Sequence, residues 1–251
     1  MVNISRREAL FLLGSGVAAF GCSKGGGGSK ITATTTSGAE FQVDTGGILY
    51  GMYWNGQDLM AGSTSSYPKG GYYIIGSCLN SPLGGDDANN VNSQSFRYGG
   101  SLRVGETRVL SNKLRSPTTF CPGAEYVVSM KRTSDMVVES DIYIKPLPAE
   151  YVALSLPTDL TRSIFDIYRW PGGSGRYDDI NVVFRTNPAA WIEACSLDLK
   201  ICVRRTITYG DYTDALFYNN NGIHNLELHL GTNIPAGKPF HLRERIEITS
   251  F

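Results

Sequence analysis

The run His224-Asn225-Leu226-Glu227-Leu228-His229-Leu230 sets polar residues between leucines. Read as a β-strand, it sends Leu226, Leu228 and Leu230 to one face and Asn225, Glu227 and His229 to the other, because successive strand side chains alternate. A histidine beside a carboxylate can be held in one tautomer with its pKa near neutrality, as a general base requires. The next apolar-polar run offers Arg243, Arg245 and Glu247 on a single face. If the two runs pair polar face to polar face, a base meets a cation that can grip a uronate carboxylate. With Tyr177, Tyr209 or Tyr212 to protonate the leaving oxygen, these are the parts of a β-eliminating lyase. The bland reading of the same ladder is the solvent side of an antiparallel sheet, where cross-strand Glu–Arg pairs are ordinary surface electrostatics.

A second set of residues suits sugar binding. Trp54, Tyr72, Tyr73, Trp170, Tyr177 and Trp191 have faces that stack on sugar rings, and Arg176, Asp178, Asp179 and Asn225 reach hydroxyls. Core packing is the competing role for each aromatic. A hydrolase would instead need two carboxylates across a cleft, for which Asp178 or Asp179 with Glu227 are the candidates. Asp86, Asp87, Asn89, Asn90 and Asn92 make an oxygen-rich loop that suggests calcium, but no Glu stands where an EF-hand requires one. Pro171-Gly172-Gly173-Ser174-Gly175 lacks the Lys-Ser/Thr of a phosphate loop, and no His-Glu-x-x-His motif occurs. No other metal or cofactor is expected.

Short alternating runs broken by Gly, Pro, Asn and Asp clusters must position these residues, a pattern that predicts an all-β antiparallel sandwich. Strands are expected at Phe41 to Asp44, Ile48 to Trp54, Tyr126 to Met130, Val137 to Ile144, Tyr151 to Leu156, Asn181 to Thr186, Trp191 to Cys195, Ile201 to Thr208, Ala215 to Tyr218, His224 to Leu230 and Leu242 to Ile248. Asn55-Gly56 is a hairpin turn, since both residues tolerate positive φ. Leu160 to Tyr168 reads equally as a helix capped by Asp159 or as a strand. Loops are expected around Gly84 to Gln94 and Pro171 to Asp179. Cys195 and Cys202 flank a turn over Leu197 to Lys200 and face each other across it, which predicts a disulfide; Cys78 and Cys121 are the remaining candidates for a second.

Two stretches carry a family likeness. Phe41-Gln42-Val43-Asp44, Gly46-Gly47-Ile48 and Trp54-Asn55-Gly56-Gln57-Asp58-Leu59 follow one another in an order similar to the opening of galactose-mutarotase-like β-sandwiches and of the sandwich domain in rhamnogalacturonan lyases. Leu226 to Leu230, Ile234-Pro235-Ala236-Gly237-Lys238-Pro239 and Leu242 to Ile248 resemble the closing strands and Pro-Ala-Gly turn of the same superfamily. The resemblance implies a large sandwich whose concave face holds polysaccharide or oligosaccharide. Three histidines leave few to supply the usual pair of a mutarotase, which favours a lyase over an epimerase.

At the N-terminus, Arg6-Arg7, the apolar run Leu10 to Phe20 and Gly21 before Cys22 resemble a twin-arginine export signal with a partial lipobox, so residues 1–22 read as a signal peptide and Cys22 as a lipidation site. Residues 23–30 are a Gly/Ser-rich tether and 31–251 one sandwich domain, exported to the periplasm or cell surface and held to the membrane by the lipid. With 23 basic and 23 acidic residues, nothing points to a nucleic-acid partner. The expectation is a carbohydrate-active protein, lyase-like if it is an enzyme; the alternative is a non-catalytic glycan-binding or structural surface module.

Overall fold

In the computed structural model, alternation of period two becomes antiparallel strands almost throughout. The structure describes residues 38–60, 71–78, 90–93, 98–115, 121–181, 183–220 and 223–251, with only the backbone at 90–92 and 220. The expected signal, tether, Cys22, Asp86, Asp87 and Asn89 lie outside the described residues, and Asn90 and Asn92 are described by backbone alone.

Three sheets form. The first runs β3 (Gln57–Asp58), β2 (Leu49–Trp54), β1 (Ala39–Asp44) and β6 (Tyr98–Ser101). The second, of six strands, runs β13 (Val183–Thr186), β16 (Asp214–Asn220), β17 (Ile223–Ile234), β10 (Tyr151–Thr161), β4 (Ile75–Cys78) and β5 (Asn90–Asn92). The third, of eight, runs β12 (Gly173–Arg176), β11 (Ile167–Trp170), β14 (Trp191–Ser196), β15 (Ile201–Tyr209), β18 (Phe240–Ser250), β9 (Val137–Ile144), β8 (Glu125–Ser134) and β7 (Thr107–Lys113).

The six- and eight-stranded sheets face each other, each contributing one set of alternating apolar residues to the core. Leu242, Ile246 and Ile248 of β18 are buried opposite Leu226, Leu228 and Leu230 of β17, while the intervening residues of β18 face away. The four-stranded sheet closes the β7–β8 end, where the Tyr126 hydroxyl donates to the Gly46 carbonyl at 3.0 Å. Asn55 and Gly56 take φ of 49° and 81° between β2 and β3, the positive values a tight hairpin turn demands.

One buried cluster ties the two large sheets together. Successive β15 side chains alternate, so one of Arg204 and Arg205 must point inward. Arg205 does, with its guanidinium forked onto Glu244 of β18 at 2.7 and 2.9 Å. A further nitrogen donates to the carbonyls of Leu156 and Leu226 on the opposite sheet, at 2.7 and 3.0 Å. Tyr72 covers the pair, its hydroxyl donating to Glu244 at 2.6 Å.

Both cysteine pairs are disulfides. Cys195 and Cys202 are direct cross-strand partners with Cα atoms 4.0 Å apart, and Cys78 joins Cys121 at 5.3 Å. Replacing Cys195 and Cys202 together with Val is expected to lower stability by about 2 kcal/mol, the chain-entropy value for so short a loop. A urea midpoint that does not move would show that the hairpin forms as readily without the bond.

Two expectations need correction. Leu160 to Tyr168 is neither helix nor strand: β10 runs on to Thr161, a turn closed by the Ile164 N–H on the Thr161 carbonyl follows, and β11 starts at Ile167. Pro171 to Asp179 is not one loop, since Gly173–Arg176 pairs with β11 as a hairpin and Tyr177–Asp179 forms a single 3-10 turn. Nearest-neighbour composition marks where a chain can bend, whereas the hydrogen-bond partner across the sheet decides whether it does.

Candidate functional site

β17 lies between β10 and β16, and its outward face gathers side chains from all three. Asn225 stands opposite Asp159 and Tyr218, Glu227 opposite Pro157 and Leu216, and His229 opposite Ser155 and Asp214. The leucines between them point into the core, as alternation predicts. Although this face looks away from the sandwich interior, Ser155, Asp159, Asn225 and His229 are each no more than 5% exposed.

The polar groups hold one another. Asn225 donates to Asp159 at 2.7 Å and the Tyr73 hydroxyl donates to the other Asp159 oxygen at 3.1 Å. The Asn225 side-chain oxygen is buried and has no partner, which leaves an acceptor for something else. His229 Nδ1 sits 3.1 Å from Asp214 Oδ2, and a carboxylate only accepts, so Nδ1 carries a proton and donates it to Asp214, leaving Nε2 as the outward nitrogen. Arg185 of β13 steadies Asp214 from its other oxygen at 3.2 Å.

Glu227, between these two, bonds Ser155 and is half-buried as a residue. Burial of its carboxyl raises its pKa to about 7; the charge of Asp159 adds to the rise, while the Ser155 hydrogen bond, His229 and Arg205 oppose it. A carboxyl poised near neutrality beside an oriented imidazole can give a proton to one atom and take one from another. Asp159, Ser155 and Asp214 escape sequence reasoning as site residues because only strand register brings them here, the one sequence trace being that each lies in or beside an alternating run; Tyr73, expected as a sugar-stacking ring, is buried and bonds Asp159 through its hydroxyl.

Arg243 and Arg245 do not join this face. The Ile234-to-Phe240 connection carries the chain across the sandwich, so β18 pairs with β15 and β9 rather than β17. Arg243 bonds Asp141 at 2.8 Å and lies over the Tyr209 ring, and Arg245 bonds Glu247 at 2.6 Å. Tyr177 is fully buried, its hydroxyl donating to the Asn225 carbonyl at 3.3 Å, and burial pushes its pKa well up. Trp54 ends β2 in the four-stranded sheet, half-buried against the core. Trp170 stacks on Tyr168 at 5.9 Å, and Trp191 lies beneath Arg204. Arg176, Asp178 and Asp179 are exposed at the β12 end and the turn beyond it, with Asp178 on the rim of a cavity shared with His224.

Among the described residues the one close group of metal-ligand types is Glu193, Cys195 and Cys202. Its sulfurs are joined to each other and Glu193 is held by Arg169 and Arg204 at 2.8 and 2.7 Å, so the donors are already committed.

No protein-family profile matches the chain, and no curated protein matches it either. Solved structures do. A galactose mutarotase-like protein from Lactobacillus casei ATCC 334 superposes with a TM-score of 0.56 at 11% identity, over 87% of this chain and 99% of that one. A structural-genomics protein from Synechocystis sp. PCC 6803 gives 0.55 at 12%, over 86% and 93%. A candidate aldose 1-epimerase from Klebsiella pneumoniae subsp. pneumoniae MGH 78578 gives 0.51 at 8%, over 82% and 74%. At such identities the likeness speaks to architecture, and the chain therefore has the antiparallel β-sandwich fold of galactose mutarotase-like proteins.

Proposed function

We propose that the protein is an exported, membrane-anchored, carbohydrate-active enzyme whose chemistry is proton transfer on a sugar at the outer face of the six-stranded sheet. One observation carries this reading: Glu227 and His229 sit side by side on β17, each oriented by its own partner, Ser155 or Asp214, amid buried polar groups. The descriptions of the structural neighbours as a galactose mutarotase-like protein and a candidate aldose 1-epimerase agree with a sugar as the ligand. The two disulfides agree with export, because such bonds persist in oxidising compartments.

In anomer interconversion, one of the pair removes the proton of the anomeric hydroxyl while the other protonates the ring oxygen. The C–O ring bond opens to the aldehyde, and the reverse transfers close it from the other side. Both groups need pKa values near the working pH, which suits Glu227. A second reading keeps the lyase: the base takes the proton next to a uronate carboxylate and the glycosidic oxygen leaves protonated. Arg185, beside Asp214, favours it as the cation that the reaction needs.

The test is anomeric exchange of freshly dissolved α-galactose followed by NMR, alongside ultraviolet detection of unsaturated ends from uronate polysaccharides. Faster exchange that disappears in Glu227→Gln supports the epimerase reading, and unsaturated product that disappears in the same variant supports the lyase. Saturable sugar binding with neither activity would replace the enzyme by a glycan-binding module. Failure to bind any sugar would overturn the carbohydrate reading altogether.

A further inference from the structure

One residue before Asn225, β17 turns its opposite face to the end of the sandwich. His224 points inward there and is 3% exposed, its ring stacked on that of Tyr177 with centroids 4.1 Å apart and planes 7° from parallel. Its Nδ1 lies 2.7 Å from the Phe165 carbonyl oxygen. A carbonyl can only accept, so Nδ1 carries the proton and Nε2 presents a lone pair. That Nε2 is buried and has no partner. Native folds satisfy nearly all such groups, and an orphan acceptor in a rigidly held ring calls for a donor from outside the chain.

His224 also lines a cavity of about 390 Å³ together with Thr161, Arg162, Ser163, Phe165, Asp166 and Asp178. That size falls in the range of small-molecule pockets, roughly 300–1,000 Å³. Its chemistry narrows the ligand. Burial lowers the His224 pKa, with the charge of Arg162 adding to it and the Phe165 hydrogen bond, Asp178 and Asp166 opposing, and the net lowering favours the neutral imidazole, an acceptor at Nε2. Asp178 and Ser163 add acceptors and the Arg162 guanidinium adds donors, while Thr161 already donates to the Asp58 carbonyl and one Asp166 oxygen already accepts from the Leu197 N–H. An ammonium ligand would suit the two carboxylates but, as a donor alone, would leave the Arg162 donors unanswered. Among the described residues no three metal-ligating groups come together here, so a cation lacks its cage. Hydroxyl groups, which donate and accept at once, match this mixed lining.

We infer that the end cavity is a second carbohydrate site, separate from the sheet face, in which a sugar hydroxyl donates to His224 Nε2 while Asp178 and Arg162 engage its neighbours. The inference stands apart from the catalytic reading, since Asn225, Glu227 and His229 lie on the other side of the same strand. Such a site would hold a glycan chain or a free sugar without acting on it.

The test uses the full protein labelled with nitrogen-15 and observes the histidine ring nitrogens by NMR while D-galactose or the open-chain polyol sorbitol is added. The expected result is an unprotonated Nε2 for His224 that shifts saturably with at least one of the two. The shift should persist in Glu227→Gln and require about tenfold more ligand in Asp178→Asn, an exposed position whose substitution leaves the fold intact. His224→Gln, which keeps a hydrogen-bonding side chain, should bind several-fold more weakly. A proton found on Nε2, an absence of saturable shift with both probes, or a shift lost in Glu227→Gln and unaffected in Asp178→Asn would overturn the second site. The last outcome would leave the sheet face standing as the sugar site, so the two readings fail separately.

Discussion

Arg205→Ala is expected to destabilise the protein by about 3–5 kcal/mol, the usual consequence of removing one partner from a buried ion pair. The reason is what remains. Glu244, 2% exposed, would lose both guanidinium hydrogen bonds and keep only that from the Tyr72 hydroxyl, and the Leu156 and Leu226 carbonyls would lose their donor. The intact pair is itself a weak source of stability, because removing two charges from water offsets most of their attraction. A double replacement, Arg205→Met with Glu244→Leu, is therefore expected to recover most of the loss. Guanidinium unfolding of the two variants checks both statements. A single variant within about 1 kcal/mol of the native protein would mean that water enters the gap and solvates Glu244, against the closed core described above.

Glu227→Gln is expected to lower the rate of the sugar reaction by about 10²- to 10⁴-fold, the range for loss of a general acid or base. Its pH signature is equally specific. The folded-state pKa of about 7 lies above the ordinary value of 4.5, so the folded protein holds this proton where the unfolded chain has released it. The resulting stabilisation is fully present below about pH 4.5 and is lost as the pH rises through 7. Glutamine does not titrate, so between pH 4.5 and pH 8 the variant should gain about 2–3 kcal/mol relative to the native protein, somewhat less than the full shift implies because the residue is only half-buried. Denaturant midpoints across that range measure it. A parallel pH dependence in the two proteins would place the Glu227 carboxyl in contact with water and remove its claim to a tuned pKa.

Much of the architecture is legible from the chain because strand periodicity is local. Val137 to Ile144 is a strand with the bounds that alternation gives it, and the Asn55-Gly56 turn follows from two residues that tolerate positive φ. The strand Ile201–Tyr209 shows where local reading stops. Its consecutive arginines say that one must point inward, but not that Glu244 waits there, 39 residues on, to receive it. Gly173–Arg176 has almost no strand propensity and becomes a strand because β11 supplies its partner.

Two features, one in the candidate site and one in the opposite sheet, were decided by sequence alone. The shared face of Asn225, Glu227 and His229 follows from alternation, and the Cys195–Cys202 bond follows from symmetry about a short turn; each depends on neighbours within a few residues. Only the tertiary structure decided what stands beside them. Asp214 meets His229 across 15 residues and Asp159 meets Asn225 across 66, while Arg243 and Arg245, next in the chain, are carried to the opposite sheet. Alternation determines which way a side chain points, but strand pairing and register are set by burial summed over the whole sandwich, and no short stretch contains that sum.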